Sequence, residues 1–295
     1  LKITGGNIAV NSVNDGIRGG DSIAVLDGII TVDSADDAIH SNGSLTIDGG
    51  HLMLTAGDNG VHADDSLIIN GGNLTIAQSY EGLESVVITI NDGTIHLFSS
   101  DDGISVAGGN DGSATSDPGQ DSLNDANNNT LEINGGYIVI DAGGDGIDVN
   151  GPGTMNGGVV IVNGPTDNRN GMLDVDGSLV INGGFLVAAG SAGMAQAPGT
   201  ASTQYSVLET LPSLQAAGTM IHIESENGEG ILTFVPSKVY QTIVLSSPKL
   251  VNGSTYVVYS GGSATGTVSD GLYSDGTYTP GVENSSFTIT SMVTG

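Results

Sequence analysis

Acidic and carboxamide side chains return in this chain at a fixed step. One residue ahead of a small position that precedes an apolar residue stand Asp15, Asp37, Asn59, Glu81, Asp102, Asp145 and Asn170. One residue earlier again come Asn14, Asp36, Asp58, Tyr80 and Asp101. Glu84 and Asp148 lie three residues past the first set, with Asp64 and Asp65 a little further on. The apolar column beside them, Ile17, Ile39, Val61, Leu83 and Ile104, advances by 22, 22, 22 and 21 residues. A constant step of this size belongs to stacked units, which would hold the carboxylates roughly 5–8 Å apart. Like charges so placed cost on the order of 1 kcal/mol per pair even when well screened. A cation must therefore neutralise the corner.

Lysine and arginine are too few to supply it. Lys2, Arg18, Arg169, Lys238 and Lys249 are the whole complement, and none lies between Asp36 and Asp148. Six to eight oxygen ligands at about 2.3–2.6 Å from flexible loops is the coordination of calcium, whereas magnesium keeps its waters and zinc prefers His and Cys. The expected cofactor is Ca2+, and its candidate ligands are Asp36, Asp37, Asp58, Asn59, Glu81, Glu84, Asp101, Asp102, Asp145 and Asp148. The sharpest grouping is Glu81 and Glu84 on either side of Leu83, flanked by Asp58 and Asn59 on one coil and by Asp101 and Asp102 on the other. The competing reading is a solvated acidic face, with Asp and Asn present because they tolerate left-handed turns. His40 and His62 share the column of Glu84 and read as solvent-facing filler, while His51, His96 and His222 belong to no constellation.

The elements that position these residues are strands. SLTIDGGHLMLTAGDNGVHADD (Ser44 to Asp65) and SLIINGGNLTIAQSYEGLESVV (Ser66 to Val87) align residue for residue. Each holds two alternating apolar runs around a Gly-Gly step, then a polar corner and a third short run, with no stretch left for a helix. Stacked in parallel about 4.8 Å apart, such coils put Leu45, Leu67, Ile88, Leu131 and Leu179 in one interior row. Ile8, Ile30, Leu52, Leu74, Ile95 and Ile138 form another. The fold class is all-β, a parallel β-helix of three-strand coils, expected right-handed because parallel crossovers almost always are. Residues 1–199 read as repeat coils, with the short-strand column continuing through Ile147 and Met172. An insertion at 108–129 is rich in Gly, Asp, Ser and Asn, and 200–295 reads as irregular end coils and a cap of the same domain.

Thirty-three acids against five bases give a charge of −28, which argues against nucleic acid and anionic membrane as partners. No apolar run is long enough for a membrane-spanning helix. The absence of cysteine excludes disulfides and thiolate metal sites. Leu1-Lys2-Ile3 already reads as coil strand, and with the acidic repeat body this suggests a secreted or cell-surface bacterial protein whose leader has been removed.

Four segments carry a family resemblance: the Gly-Gly-x-Leu/Ile-x-Ile strand, SYEGLES (Ser79 to Ser85), SSDDGI (Ser99 to Ile104) and DGIDVNG (Asp145 to Gly151). Together with the tyrosine-rich stretch Ser246 to Gly262, they resemble the bacterial extracellular carbohydrate-binding domains built on a parallel β-helix similar to pectate lyases. That resemblance implies calcium in the acidic corner and noncatalytic binding of plant cell-wall polysaccharide, both cellulose and acidic sugars such as polygalacturonate. Two alternatives stand beside it: a weak pectin-active lyase or hydrolase, and a structural stalk or adhesin. A lyase on this fold needs a Lys or Arg base, which the sequence places nowhere near the acids, and an inverting hydrolase needs paired carboxylates such as Asp101 and Asp102. Tyr80, Tyr137, Tyr256, Tyr259, Tyr273 and Tyr278 are the available sugar platforms, and each reads as packing first.

Overall fold

The computed structural model of the chain describes residues 1–107 and 128–295. Among these residues all regular structure is strand, as the alternation requires. One coil shows the plan: Ser44–Ile47, a Gly-Gly turn, His51–Thr55, the acidic corner, Val61–Ala63, and a short turn into the next coil at Ser66–Ile69. Equivalent strands pair in parallel and in register, making a β-solenoid of about eight turns. Leu45 meets Leu67, Leu67 meets Ile88, and Ile88 meets Leu131, so the first interior row is continuous. Ile8, Ile30, Leu52, Leu74, Ile95 and Ile138 form the second. The third side is a seven-stranded sheet carrying Ile17, Ile39, Val61, Leu83 and Ile104. Nearly all of these side chains are excluded from water, which is the main force holding the stack.

The inserted segment lies outside the described residues except for Asn128 and Asn129. Pairing closes across it, since Val106 meets Val149 and Ile88 meets Leu131. One column assignment is corrected. Ile147 pairs with Leu173, not Met172, because the corner after Asn163 is longer than its predecessors and shifts the register by one. Met172 instead occupies the small position before the column and is fully buried there.

Two corner devices keep the register. The second glycine of the Gly-Gly turn between the first two strands of a coil has positive φ, +96° at Gly50 and +89° at Gly136, a region in which side chains are strained. Beside it runs an asparagine ladder that sequence reading did not anticipate. Asn70, Asn91, Asn134, Asn156 and Asn182 each donate through Nδ2 to the residue one coil back, at 2.7–3.0 Å, beginning at Asp48. Stacked amides can do this because every carboxamide carries both a donor and an acceptor.

The C-terminal part does more than close the stack. Tyr240–Ser246 pairs antiparallel with Phe185–Gly190 and ends the parallel order. A six-stranded antiparallel sheet, running from Ile221 to Thr288, then packs on the flank of the solenoid. Its Ile221, Phe234, Tyr256 and Val258 share a core with Val139, Ile161 and Val187, which point outward from the coils. Polar contacts pin it down: Asp270 receives the Tyr137 hydroxyl at 2.9 Å and lies 3.2 Å from His96 Nε2. His96 therefore does have a partner, one 174 residues away in sequence.

The small position before the column offers a stability test. A Cβ on Gly103 would meet the Ile140 side chain and, at 2.6 Å, the Gly146 carbonyl oxygen. Gly103→Ala should lower unfolding free energy by about 1–3 kcal/mol, read as a lower urea midpoint. An unchanged midpoint would show that the coils can separate locally at little cost.

Candidate functional site

The corner acids sit where the second strand of each coil ends and the short strand begins. Backbone bonds stack them: Ala38 N–H donates to Asn59, Gly60 to Glu81, Gly82 to Asp102 and Gly103 to Asp145, each at 2.9–3.0 Å. Gly146 donates to Gly171, so Gly171 takes the place expected for Asn170 and the acidic row ends at Asp145. A second column faces outward along the short strands, in the order Arg18, His40, His62, Glu84, Ser105, Asp148 and Asp174. At the open end Arg18 pairs with Asp15 at 2.6 Å.

The ten predicted ligands divide into groups. Asp102, Asp145 and Asp148 bring carboxylate oxygens within 4.8 Å of one another, and so do Asp36, Asp37 and Asp58. Asp101 neighbours the first group: a Cβ on Gly144 would run into the carboxylates of both Asp101 and Asp102, so the bare glycine leaves the space between them open. Glu81 and Glu84 do not form one centre. Glu84 is buried and takes hydrogen bonds from the Asn59 amide and from His62, the latter at 2.9 Å. Glu81 is also buried, with its field on Tyr80, whose hydroxyl donates to Asp101.

The upstream half is not a solvated face, and its histidines are not filler. His40 and His62 are 2% and 1% exposed and stack with ring centroids 4.6 Å apart. His40 Nδ1 lies 2.6 Å from Asp37 Oδ2, whose other oxygen accepts the Asn59 N–H at 2.9 Å. Burial opposes a charge on His62, but hydrogen bonds to Asp64 and Glu84 and the fields of Glu84 and Asp37 outweigh it and raise its pKa well above the usual histidine value. Part of the cation that the stacked acids demand is thus a histidinium, supplied by the column itself.

Downstream no histidine is available. Burial, then the fields of Asp101, Asp145 and Asp148, push the Asp102 carboxyl up to about 8, against a 2.6 Å hydrogen bond from the Asp145 N–H. Burial, Asp174 and Asp101 likewise raise Asp145, against a bond from the Gly171 N–H. Four of the five Lys and Arg side chains are engaged elsewhere: Arg18 by Asp15, Arg169 by Asp167, Lys238 by Asp141, and Lys249 by the Gly230 carbonyl. Lys238 is nonetheless closer to the acids than sequence reasoning placed any base. It arrives from the C-terminal part and donates to the Ala142 carbonyl at 2.6 Å, at the start of the Asp145 corner.

A separate polar cavity of about 620 Å³ lies in the flanking sheet, lined by His222, Glu224, Thr233, Lys249, Tyr273 and Tyr278 among others. His222 stacks on Tyr278 at 3.9 Å and lies 2.7 Å from Thr233 Oγ1 and 3.2 Å from Glu224. No sequence signal announced this grouping, because strand pairing across hairpins with no fixed period assembles it.

A family model described as "Carbohydrate-binding domain-containing protein" matches residues 1–122. Comparison with curated proteins and with solved structures gives no match. The matched segment contains the stacked His40 and His62 and the acids from Asp36 to Asp102, while Asp145 and Asp148 lie beyond it.

The shifted groups predict a pH dependence. Folded Asp102 holds its proton to about pH 8 rather than 3.8, and folded His62 to well above 6.5. Between those limits the folded chain binds more protons than the unfolded one, so stability falls as pH rises. In chelator the melting temperature should be higher at pH 6 than at pH 9, and Asp102→Asn should flatten the slope. A melting temperature that climbs with pH would refute this charge balance.

Proposed function

We propose that the chain is a noncatalytic carbohydrate-binding solenoid that holds calcium at Asp101, Asp102, Asp145 and Asp148 and uses it to bind acidic plant cell-wall polysaccharide such as polygalacturonate, with cellulose as a neutral ligand. The observation that carries this reading is the carboxylate cluster at the downstream corner. Its donors are oxygen only, its Asp102 is forced toward the neutral form, and Gly144 leaves the space between the acids clear. That donor chemistry fits a hard divalent cation and does not suit zinc or copper. The match of residues 1–122 to a carbohydrate-binding family supplies the ligand class.

Charge decides the mode of binding. A protein of charge −28 repels a polyuronate, so contact requires a bridge. Calcium bound at the corner would supply positive charge and open coordination positions to a sugar carboxylate. Backbone N–H groups of the following coil hold one oxygen of Asp102 and one of Asp145, which fixes the direction of both carboxylates. Ligands of this kind place the protein outside the cell, secreted or at the surface.

A pectin-active lyase is the second reading, favoured by Lys238 near the corner. Its ammonium donates to Asp141 at 2.6 Å and to the carbonyls of Ala142 and Asn163, which directs it away from the corner acids. On a polygalacturonate affinity gel the chain should be retained with calcium and released by chelator, without unsaturated uronate or new reducing ends. Asp102→Asn with Asp145→Asn should abolish retention. Turnover that disappears in Lys238→Ala would establish the lyase instead, and retention indifferent to both chelator and the double variant would refute the calcium bridge.

A further inference from the structure

The flanking sheet carries a chemistry that the acidic corner lacks. In the strand Ile221–Ser225, Ile221 and Ile223 point into the core shared with the coils, so His222 and Glu224, which alternate with them, face the other side. Over that face the chain closes an arm, with Ser263–Ala264 paired to Tyr278–Thr279, and the space beneath is the polar cavity of about 620 Å³. Hydrogen bonds fix its floor. Glu224 only accepts, so His222 Nε2, 3.2 Å away, carries the ring proton and Nδ1 accepts the Thr233 hydroxyl at 2.7 Å. Burial lowers the His222 pKa against the hydrogen bond and field of Glu224, and the ring is neutral at pH 7. Two side chains at the rim are uncommitted. Of the four cations accounted for above, Lys249 alone answers no carboxylate among the described residues, donating only to the Gly230 carbonyl at 3.1 Å. Tyr273 is half-buried, and among the described residues its side chain has neither a hydrogen bond nor a ring contact. Tyr278, by contrast, is spent: its ring lies on His222 and its hydroxyl donates to the Gly261 carbonyl.

Both rim side chains also line a second, apolar cavity of about 420 Å³, walled by Val159, Phe185, Pro248 and Leu272 where the sheet meets the coils. The two cavities meet at Ile231, Thr233, Lys249 and Tyr273, and each lies within the range of ligand pockets, about 300–1,000 Å³. We propose that this cleft binds a neutral glycan chain without calcium, with Tyr273 against a sugar ring and Lys249, Glu224 and Thr233 on its hydroxyls. A hydroxyl both donates and accepts, so it satisfies the Lys249 ammonium and the Glu224 and Asp275 carboxylates in one lining. An anionic sugar meets those same two carboxylates and is repelled. The flat apolar face of a sugar ring suits the uncommitted Tyr273 and the apolar half beside it. This inference rests on the glycan-binding reading above but not on its calcium bridge. It divides the ligands between two places: acidic polymer at the solenoid corner, neutral chain in the cleft.

The test uses the full chain in chelator, titrated with cellohexaose. Binding should be present, and Tyr273→Ala and Lys249→Met should each weaken it by about 10-fold or more. Tyr273→Phe keeps the ring face and should retain most of the affinity, while Asp102→Asn with Asp145→Asn should leave it unchanged. Trigalacturonate in chelator should not bind. Hydrogen exchange of the wild-type chain locates the site without any variant: cellohexaose should protect residues 222–233 and 264–278. Absence of cellohexaose binding, its loss in the corner double variant, or protection confined to the solenoid would overturn the cleft as a glycan site. The two readings fail separately. A chain that is not retained on polygalacturonate with calcium, yet binds cellohexaose in chelator through Tyr273 and Lys249, overturns the calcium bridge and supports the cleft.

Discussion

Everything in this molecule depends on the parallel, in-register pairing of one coil with the next. That pairing satisfies the backbone and aligns apolar side chains into interior rows, which is why the stack is stable. It has an unavoidable second effect. Whatever residue type occupies a surface position is placed against its equivalent one strand spacing away, about 4.8 Å. Asparagine gains from this, because amides chain donor to acceptor along the ladder from Asn70 to Asn182. Aspartate and glutamate lose from it, because they can only accept and they repel.

The acidic corner is the place where this cost is concentrated and then used. Three kinds of compensation occur along one column. Arg18 answers Asp15 at the open end, histidines answer Asp37, Asp64 and Glu84 in the middle, and backbone N–H groups give partial relief to Asp102 and Asp145 downstream. The last is incomplete, and the raised affinity of Asp102 for a proton shows it. In the function proposed above, a divalent cation takes the place of that proton. The flanking sheet adds a contact of its own by seating Lys238 between Asp141 and two coil carbonyls.

The solenoid was legible in the sequence because its signal is periodic. Rows such as Leu45, Leu67 and Ile88 follow from counting, and the paired glycines mark corners that only they can turn. Legibility failed where the period did. The long corner between Asn163 and Leu173 moved the column from Met172 to Leu173, and the flanking sheet left no repeat to count, so the His222 grouping and the contact of His96 with Asp270 were invisible. The site was legible as a column of acids but not as separate centres. Which carboxylate faces which neighbour is set by side-chain direction, and the step from His62 to Asp64 and Glu84 joins a turn to two adjacent coils. Treating the stacked histidines as solvated overlooked that the same stacking that aligns them also buries them.

The central claim is that the stacked carboxylates downstream are completed by a divalent cation. Anomalous scattering from a crystal grown in calcium tests it most directly. The account predicts a calcium peak bounded by Asp101, Asp102, Asp145 and Asp148, with Gly144 beside it. A well-ordered corner with no anomalous peak, its carboxyl groups paired through shared protons, would contradict it.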